Sequence, residues 1–473
     1  MPNIAAMRTS ETDKVFKNFL NRYFFRYFEH QRQTEQPMRP HIELYIRGYC
    51  PSNCEYCYLA RYGSKLYPRD VQSDDNIIKN LKIFLNYYSE QNWSARFELF
   101  SGRMFDTDLG CRVLQTIYDH FDGDTPCKPS VISIPDDMQF LLDDKRTADV
   151  EYWINMLASK GIQVSFSASV DGKINDGHRF GERTDEFYEK LKYFIYKYSC
   201  GLHPMVSPEN IHTWIENWDW MVNWDKDIAL GAMTLEVRNN EWTESRLVDY
   251  LKFINHIANF RIKEYRNIDG SFDVEAFAYH CLFKEDEGKK IIQHGDCLRL
   301  PFPNGTNGNK GLTCSVQYGF CVRLGDLAIP VCHRTSYEGF IGGYFEVKDS
   351  KIVDIKSNNP EFYMSCMAVR NDNLPKCREC GLRYNCFMGC LGSNYESIGD
   401  PFWTPDSVCK LLHLKTFFIL TKMYEVGALQ WISENRPEMF KSIAHTVDYM
   451  SECTSQDKTG MMEAIRNVAK ICV

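Results

Sequence analysis

Short apolar runs and longer runs of helical period alternate along the chain after residue 40. A short apolar run predicts a buried strand, whereas apolar residues recurring every three to four positions predict a helix that covers a sheet. The predicted strands are 41–48, 95–100, 130–134, 162–170, 202–207 and 232–237, and the predicted helices between and after them include 76–90, 150–161, 184–199 and 241–265.

This alternation predicts an α/β fold with a parallel sheet and right-handed crossovers, either doubly wound or an incomplete barrel. The aromatic stripe before it predicts a helix packed on the main domain, and most of the last sixty residues are predicted to be helical. The predicted division is an N-terminal helical extension (1–40), the α/β part (41–265), a bridging segment (266–313), a cysteine-rich domain (314–410) and C-terminal helices (411–473).

Composition narrows the class of protein. The 473 residues are 44% hydrophobic, which is enough for sizeable cores, and the net charge of −8 argues against a nucleic-acid-binding surface. The first residues contain no signal peptide, and the apolar stretch near the C-terminus is interrupted by Lys422 and Glu425. We therefore expect a cytoplasmic protein without a membrane or nucleic-acid partner.

The cysteines are the most informative residues about the chemistry of this chain. The chain has 19 cysteines, an odd number in clustered spacings, which favours metal or redox chemistry over disulfides. Cys50, Cys54 and Cys57 follow the first predicted strand, where parallel folds place reactive groups. Three thiolates on one loop are suited to an iron–sulfur cubane with one open iron, or to zinc with a fourth ligand from elsewhere. The spacing leaves both interpretations open.

A second set of cysteines lies in the C-terminal third of the chain. Eight thiols there are sufficient for two four-thiolate sites, which either iron–sulfur clusters or two zinc ions would satisfy. They are Cys314, Cys321, Cys332, Cys377, Cys380, Cys386, Cys390 and Cys409.

The C-x3-C-x2-C motif, with Tyr56 before its last cysteine, resembles that of radical S-adenosylmethionine enzymes over about residues 41–265. The C-x2-C-x5-C-x3-C block from Cys377, followed by Cys409, resembles a SPASM domain. The resemblance implies a partial (β/α)6 TIM-like barrel followed by a small α+β domain. It also implies a [4Fe-4S] cluster whose open iron binds S-adenosylmethionine, and reductive cleavage of that cofactor to a 5′-deoxyadenosyl radical that abstracts a substrate hydrogen.

The SPASM resemblance further implies two auxiliary [4Fe-4S] clusters with interleaved ligands. One would use Cys314, Cys321, Cys332 and Cys390, and the other would use Cys377, Cys380, Cys386 and Cys409.

Contacts to the cofactor are expected by resemblance as well. Ser101, Gly102 and Arg103 stand where the family usually has Gly-Gly-Glu. Gly102 keeps the close backbone approach, but an arginine cannot accept a hydrogen bond from an ammonium group, so we expect Ser101 or a carbonyl to do so. The other expected contacts are Tyr56 near the adenine, Ser167 on the fourth strand, and Arg179 on the cofactor carboxylate, unless Arg179 is an ordinary surface residue.

SPASM-bearing radical enzymes mostly modify peptides or proteins, by crosslinking or oxidation, with an electron donor such as flavodoxin or ferredoxin. Action on a small metabolite, or oxidation of a protein like that of the anaerobic sulfatase maturases, is the alternative. That last group has a carboxylate where this chain has His333, which is either a base or a hydrogen-bonded structural residue. A zinc-stabilised adaptor with a degenerate barrel is the non-enzyme alternative, supported by Arg103.

Overall fold

The computed structural model describes residues 10–21, 41–121, 127–179, 181, 183–233, 236–237, 242–282, 319–369, 373–382 and 390–456. The chain divides into two compact units. Unit one comprises Met1–Val170, Arg179–Gly201 and Ser315–Ala368, and unit two comprises Asp171–His178, Leu202–Cys314 and Val369–Val473. The domain boundaries expected from the sequence stay a prediction.

The strands are β1 (His41–Arg47), β2 (Arg96–Ser101), β3 (Val131–Asp136), β4 (Gln163–Ala168), β5 (Ser199–Leu202), β6 (Met205–Val206), β7 (Glu236–Val237), β8 (Gly319–Arg323), β9 (Ala328–Ile329), β10 (Gly343–Lys348) and β11 (Lys351–Ser357). The main sheet has the order β11-β10-β9-β8-β1-β2-β3-β4-β5. Parallel pairing joins β8 to β1, β1 to β2, β2 to β3 and β3 to β4. The predicted α/β class is therefore confirmed.

The helices are α1 (Ser10–Leu20), α2 (Tyr58–Leu66), α3 (Asp74–Glu90), α4 (Leu109–His120), α5 (Asp144–Ser159), α6 (Asp176–Arg179), α7 (Asp185–Lys197), α8 (Trp214–Trp224), α9 (Glu244–Glu264), α10 (Val274–Leu282), α11 (Pro360–Ala368), α12 (Pro375–Arg378), α13 (Leu391–Ile398), α14 (Asp406–Glu425), α15 (Ala428–Asn435) and α16 (Pro437–Gln456). None of those within the described residues is both long and apolar enough to cross a membrane.

Side-chain caps set where several helices begin. The Asp143 carboxylate accepts a hydrogen bond from the Arg146 backbone N–H at 3.0 Å, so α5 begins six residues before the predicted 150–161. The first turn of α5 is polar, and for that reason it carries no apolar period. Ser73 caps α3 in the same way through the Asn76 N–H, at 3.4 Å.

The fifth predicted strand, 202–207, is wrong in its bounds. β5 begins at Ser199, whereas β6 pairs in parallel with β7 in a separate two-stranded sheet. The break falls at His203 and Pro204, and proline lacks the N–H that a continuous ladder needs.

The sequence did not predict how far the sheet extends beyond β1. β8 pairs with β1 in parallel, and β9, β10 and β11 follow as antiparallel neighbours. All five residues of β8 are buried, as expected of a strand with neighbours on both sides. This pairing sets Cys321 opposite Glu43. Part of the cysteine-rich segment thus lies in the same sheet as β1, the strand that precedes the first cysteine motif.

Candidate active site

The cysteine loop (Cys50–Cys57) begins three residues after β1 ends. The Cys57 N–H donates a hydrogen bond to the Cys54 carbonyl at 3.0 Å, and Cys57 is the N-cap residue of α2. Cys50, Cys54 and Cys57 are all half-buried. A helix N-terminus favours a thiolate beside it, so this loop is a suitable place for anionic sulfur ligands.

The thiols of this loop are suited to an iron–sulfur cluster. Burial is the main cause of a rise in the pKa of Cys50 to about 11; the charges of Cys57 and Asp137 contribute to the rise, and hydrogen bonds from Ser52 oppose it. Metal binding must therefore displace a proton. Among the described residues, no three His, Cys, Asp or Glu side chains are already arranged to hold a metal ion, so the thiols must move together around one. Three thiols on one loop are nevertheless the donor set of a cubane with an open iron.

Gly102 lies directly behind the cysteine loop. A Cβ at this position would lie 2.3 Å from the Tyr49 carbonyl oxygen and 2.4 Å from Cys50 Cβ, so only glycine allows this approach. The neighbouring Ser101 is buried, and its hydroxyl donates to the Gly102 carbonyl at 3.4 Å. The end of β2 therefore supports the loop from which the cluster would be held.

Arg103 stands where the resemblance expects a glutamate, but its side chain pairs with two carboxylates. Its backbone is left-handed, with φ of 44°, and its guanidinium forms ion pairs with Asp106 at 2.8 Å and Asp137 at 3.4 Å. Asp137 Oδ2 also accepts a hydrogen bond from the Ser52 hydroxyl at 3.1 Å. Asp137, which follows β3, is thus tied to both the cysteine loop and Arg103. The sequence analysis missed it, although an acidic pair at the end of a predicted strand was a usable signal.

Tyr56 and Arg179 come together in unit one. The Arg179 Nε–H donates to the Tyr56 hydroxyl at 2.9 Å, and the guanidinium carbon lies 5.6 Å from the centre of the Tyr56 ring. Both side chains are buried, so the alternative of an ordinary surface arginine is wrong. Ser167 is half-buried on β4, in register with Pro135 of β3. The cofactor contacts expected of these three residues stay predictions.

His333 is held by a buried carboxylate that the sequence analysis missed. Glu43 Oε1 accepts hydrogen bonds from His333 Nδ1 at 2.6 Å, from the His333 backbone N–H at 2.8 Å and from the Cys321 thiol at 3.5 Å. The imidazole also stacks on Phe100, with ring centres 3.6 Å apart. Burial opposes the ionisation of Glu43, but the contacts with His333, together with the charge of His41, outweigh it and hold the pKa of Glu43 below its ordinary value. A glutamate inside an otherwise apolar strand was the available signal.

Asp136 lies beside Asp137 and is expected to make stability depend on pH. Burial, together with the charge of Asp137, raises the pKa of Asp136 well above its ordinary value, and Oδ2 has no hydrogen-bond partner. The folded chain therefore keeps this proton where the unfolded chain loses it, above a pKa of about 3.9, so the free energy of unfolding falls as the pH rises from there. We expect Asp136→Asn, which keeps the acceptor for the Met138 N–H, to be more stable at pH 7 and less sensitive to pH.

Urea unfolding between pH 4 and 8 measures this effect, with Asp119→Asn at an exposed position as the control. An Asp136→Asn variant that loses stability at pH 7 would contradict the expectation.

The structure describes six of the eight C-terminal cysteines. Cys321 and Cys332 are buried in unit one, whereas Cys377, Cys380 and Cys409 are half-buried in unit two. Cys390, also half-buried, is the N-cap residue of α13. Cys314 and Cys386 lie outside the described residues. The two interleaved ligand sets expected by resemblance stay predictions.

No protein-family model and no curated protein sequence matches this chain. Solved structures with a similar fold include anSMEcpe with bound AdoMet, with a TM-score of 0.49 and 13% identity over 86% of this chain and 99% of that chain. SuiB from Streptococcus suis bound to S-adenosylmethionine has a TM-score of 0.47 and 15% identity, over 81% of this chain and 80% of that chain. SuiB bound to precursor peptide SuiA has a TM-score of 0.45 and 13% identity, over 81% and 79%. A likeness of this degree gives no residue a role, and roles follow from the contacts within this chain.

Proposed function

We propose that this chain is a radical S-adenosylmethionine enzyme that modifies a peptide or protein. The observation that carries the proposal is the three-thiol loop after β1, with Gly102 packed directly behind Cys50. When bound there, a [4Fe-4S] cluster and S-adenosylmethionine would supply a carbon radical that removes a hydrogen atom from the substrate. The residues of the chain would hold both groups and exclude water from them.

The side chains around the loop are suited to the two ends of the cofactor. Cys50, Cys54 and Cys57 would hold the cluster and leave one iron open for the amino and carboxylate groups of S-adenosylmethionine. Tyr56 offers an aromatic face within the cysteine loop. The Arg179 Nε–H donates a hydrogen bond to its hydroxyl at 2.9 Å, which places a positive charge beside that ring. Ser167 adds a hydroxyl near the carboxyl end of β4.

We propose Asp137 as the carboxylate that accepts the hydrogen bond from the cofactor's ammonium group. Its Oδ2 is held by the Ser52 hydroxyl and by Arg103, and its charge acts on the Cys50 thiol. A carboxylate oxygen has room for further donors beyond these two. Asp137 would then supply from β3 the negative charge that Arg103 cannot supply from β2.

The expected result of Asp137→Asn is roughly ten- to hundredfold weaker binding of S-adenosylmethionine, because a charge-assisted hydrogen bond is lost. Binding of 5′-methylthioadenosine, which lacks the amino acid, should stay unchanged, as should the iron content. Equilibrium dialysis with both compounds measures this difference. Asp106→Asn is the matched control, since Asp106 also pairs with Arg103, whereas the Ser52 hydroxyl donates its hydrogen bond to Asp137. Equal weakening for both compounds, or for both variants, would refute the assignment.

His333 is the candidate base. A carboxylate only accepts hydrogen bonds, so the bond to Glu43 places a proton on Nδ1 and leaves Nε2 as the nitrogen that would accept a proton. Stacking on Phe100 fixes the plane of the ring. Glu43 would therefore act as a positioning residue for a proton acceptor, and the role of His333 itself rests on the resemblance and on this geometry.

Metal analysis of anaerobically reconstituted protein tests the proposal against the adaptor alternative. Three cubanes correspond to about twelve iron atoms per chain, whereas an adaptor with two structural sites would hold about two zinc ions. Mass spectrometry of a co-expressed peptide distinguishes a peptide substrate from a small metabolite. A loss of two hydrogens from the peptide, with flavodoxin or ferredoxin as electron donor, supports the peptide over a small metabolite.

A further inference from the structure

Arg323, the last residue of β8, has a buried guanidinium group in unit one. Its side chain is only 1% exposed. Nε–H and Nη2–H donate to the two carboxylate oxygens of Asp326, at 2.9 and 2.6 Å, so the charge is paired and the planar group is oriented. A buried ion pair adds little net stability, so the geometry that Arg323 fixes is its more informative property.

The third nitrogen of this group, Nη1 of Arg323, joins two segments that are distant in sequence. It donates to the Leu66 carbonyl oxygen at 2.8 Å and to the Ser336 carbonyl oxygen at 3.1 Å. Leu66 is the last residue of α2, the helix that has Cys57 as its N-cap residue. A cation at the C-terminus of a helix binds a carbonyl that has no partner within the helix. Arg323 therefore holds α2 at the end opposite the cysteine loop.

The second segment is the His333 turn, residues 332–336. The Thr335 N–H donates to the Cys332 carbonyl at 3.1 Å, and the Cys332 N–H donates to Thr335 Oγ1 at 3.1 Å, so two hydrogen bonds close the turn. Ser336 is its last residue. Because the turn is closed in this way, a displacement of Ser336 is transmitted to His333.

The start of α2 contacts the same turn. Tyr58, the first residue of α2, has its ring centre 5.6 Å from that of His333, and the Arg334 guanidinium carbon lies 4.8 Å from the centre of the Tyr58 ring. The helix and the turn are thus joined at both ends of α2, at Tyr58 and at Leu66, about 12 Å apart along the helix axis. A single contact would let the helix rotate about it, whereas two contacts fix its orientation.

We propose that Arg323 is a positioning residue, which fixes the His333 turn on α2 and so sets the distance between the candidate base and the cysteine loop. It acts through the carbonyl groups of Leu66 and Ser336. The role of His333 rests on the proposed function, whereas the link between the two segments can be tested without it. A lysine cannot replace this arginine, because one ammonium nitrogen cannot reproduce the planar fork that holds the Asp326 carboxylate and both carbonyl oxygens.

Hydrogen exchange of the full chain, followed by mass spectrometry, tests this link in Arg323→Lys. We expect the amides of 58–67 and of 332–337 to exchange roughly tenfold faster, while β2 and β3 keep their rates, because two segments are loosened and the core is not. Arg261→Lys is the matched control, since it replaces another buried arginine, on α9, and should leave both segments unchanged. Faster exchange throughout unit one, or in only one of the two segments, overturns the proposal.

A second measurement separates positioning from a loss of stability. The 2.6 Å hydrogen bond between His333 Nδ1 and Glu43 should give a far-downfield proton resonance in protein labelled with ¹⁵N-histidine, and His333→Gln identifies that resonance. We expect Arg323→Lys to shift it upfield, because the imidazole moves with the turn, and Arg261→Lys to leave it in place. An unchanged resonance in Arg323→Lys overturns the proposal.

Asp326→Asn is a second variant, for use if Arg323→Lys does not fold. It keeps the arginine, but the amide offers one acceptor oxygen in place of two, so the guanidinium is less firmly oriented. The same two segments should exchange faster, and unchanged exchange in both would overturn the proposal. Cleavage of S-adenosylmethionine enters none of these measurements, so failure of the proposed function would show separately.

Discussion

Replacing Cys54 by Ala is expected to abolish reductive cleavage of S-adenosylmethionine and to remove about four iron atoms per chain. Cys54 is the middle cysteine of the three-thiol loop and a proposed cluster ligand, and its carbonyl accepts the hydrogen bond that closes the turn to Cys57. Two thiolates cannot hold a cubane whose fourth iron must stay open. The alanine leaves the backbone turn in place, so the loss is one of ligation, and the iron at the C-terminal sites should remain.

Cys111→Ala is the matched control. Cys111 lies on α4 as another half-buried thiol whose pKa burial raises to about 11, but it stands apart from every cysteine cluster of the sequence. Its replacement should leave iron content and cofactor cleavage unchanged. Cleavage that survives in Cys54→Ala, or that is lost equally in Cys111→Ala, would contradict the assignment of the loop. Under the adaptor alternative, Cys54→Ala would leave the binding of its partner unchanged.

Gly102→Ala should be nearly as damaging, although it changes no ligand. The added Cβ would lie 2.3 Å from the Tyr49 carbonyl oxygen, 2.4 Å from Cys50 Cβ and 2.8 Å from Cys50 Cα. These are backbone and near-backbone atoms, so the cysteine loop itself must shift. We expect the free energy of unfolding to fall by about 2 kcal/mol, and most of the iron of the first cluster to be lost. Urea unfolding and iron analysis measure the two effects.

Gly177→Ala controls for the change of residue type. Gly177 is an exposed position in α6, and a Cβ there meets nothing within 4 Å. Alanine there should be neutral or slightly stabilising, because it favours helix over glycine. If Gly102→Ala keeps its iron and its stability, the close contact between β2 and the cysteine loop has no part in holding the cluster.

The helices and strands that short stretches of sequence encode were predictable. β1 to β4 and α3, α5, α7 and α9 follow apolar periods that can be read within short windows. The pairing of β8 with β1 was not predictable, because residues far apart in the chain form it and no local pattern encodes the partner. The break at Pro204 could have been predicted from its missing N–H.

The position of the cysteine loop was predictable from the sequence, whereas the contacts of the side chains around it were not. The spacing of Cys50, Cys54 and Cys57 brings them to one loop after β1, and their role as cluster ligands stays a prediction. Asp137 and Glu43 were missed, since their roles depend on which strands lie side by side.

Reduction of the anaerobically reconstituted chain in the presence of S-adenosylmethionine tests the central claim most directly. The account predicts that 5′-deoxyadenosine and methionine form together, that both depend on the reductant, and that neither forms in Cys54→Ala. A protein that holds about two zinc ions per chain and forms no 5′-deoxyadenosine would contradict it.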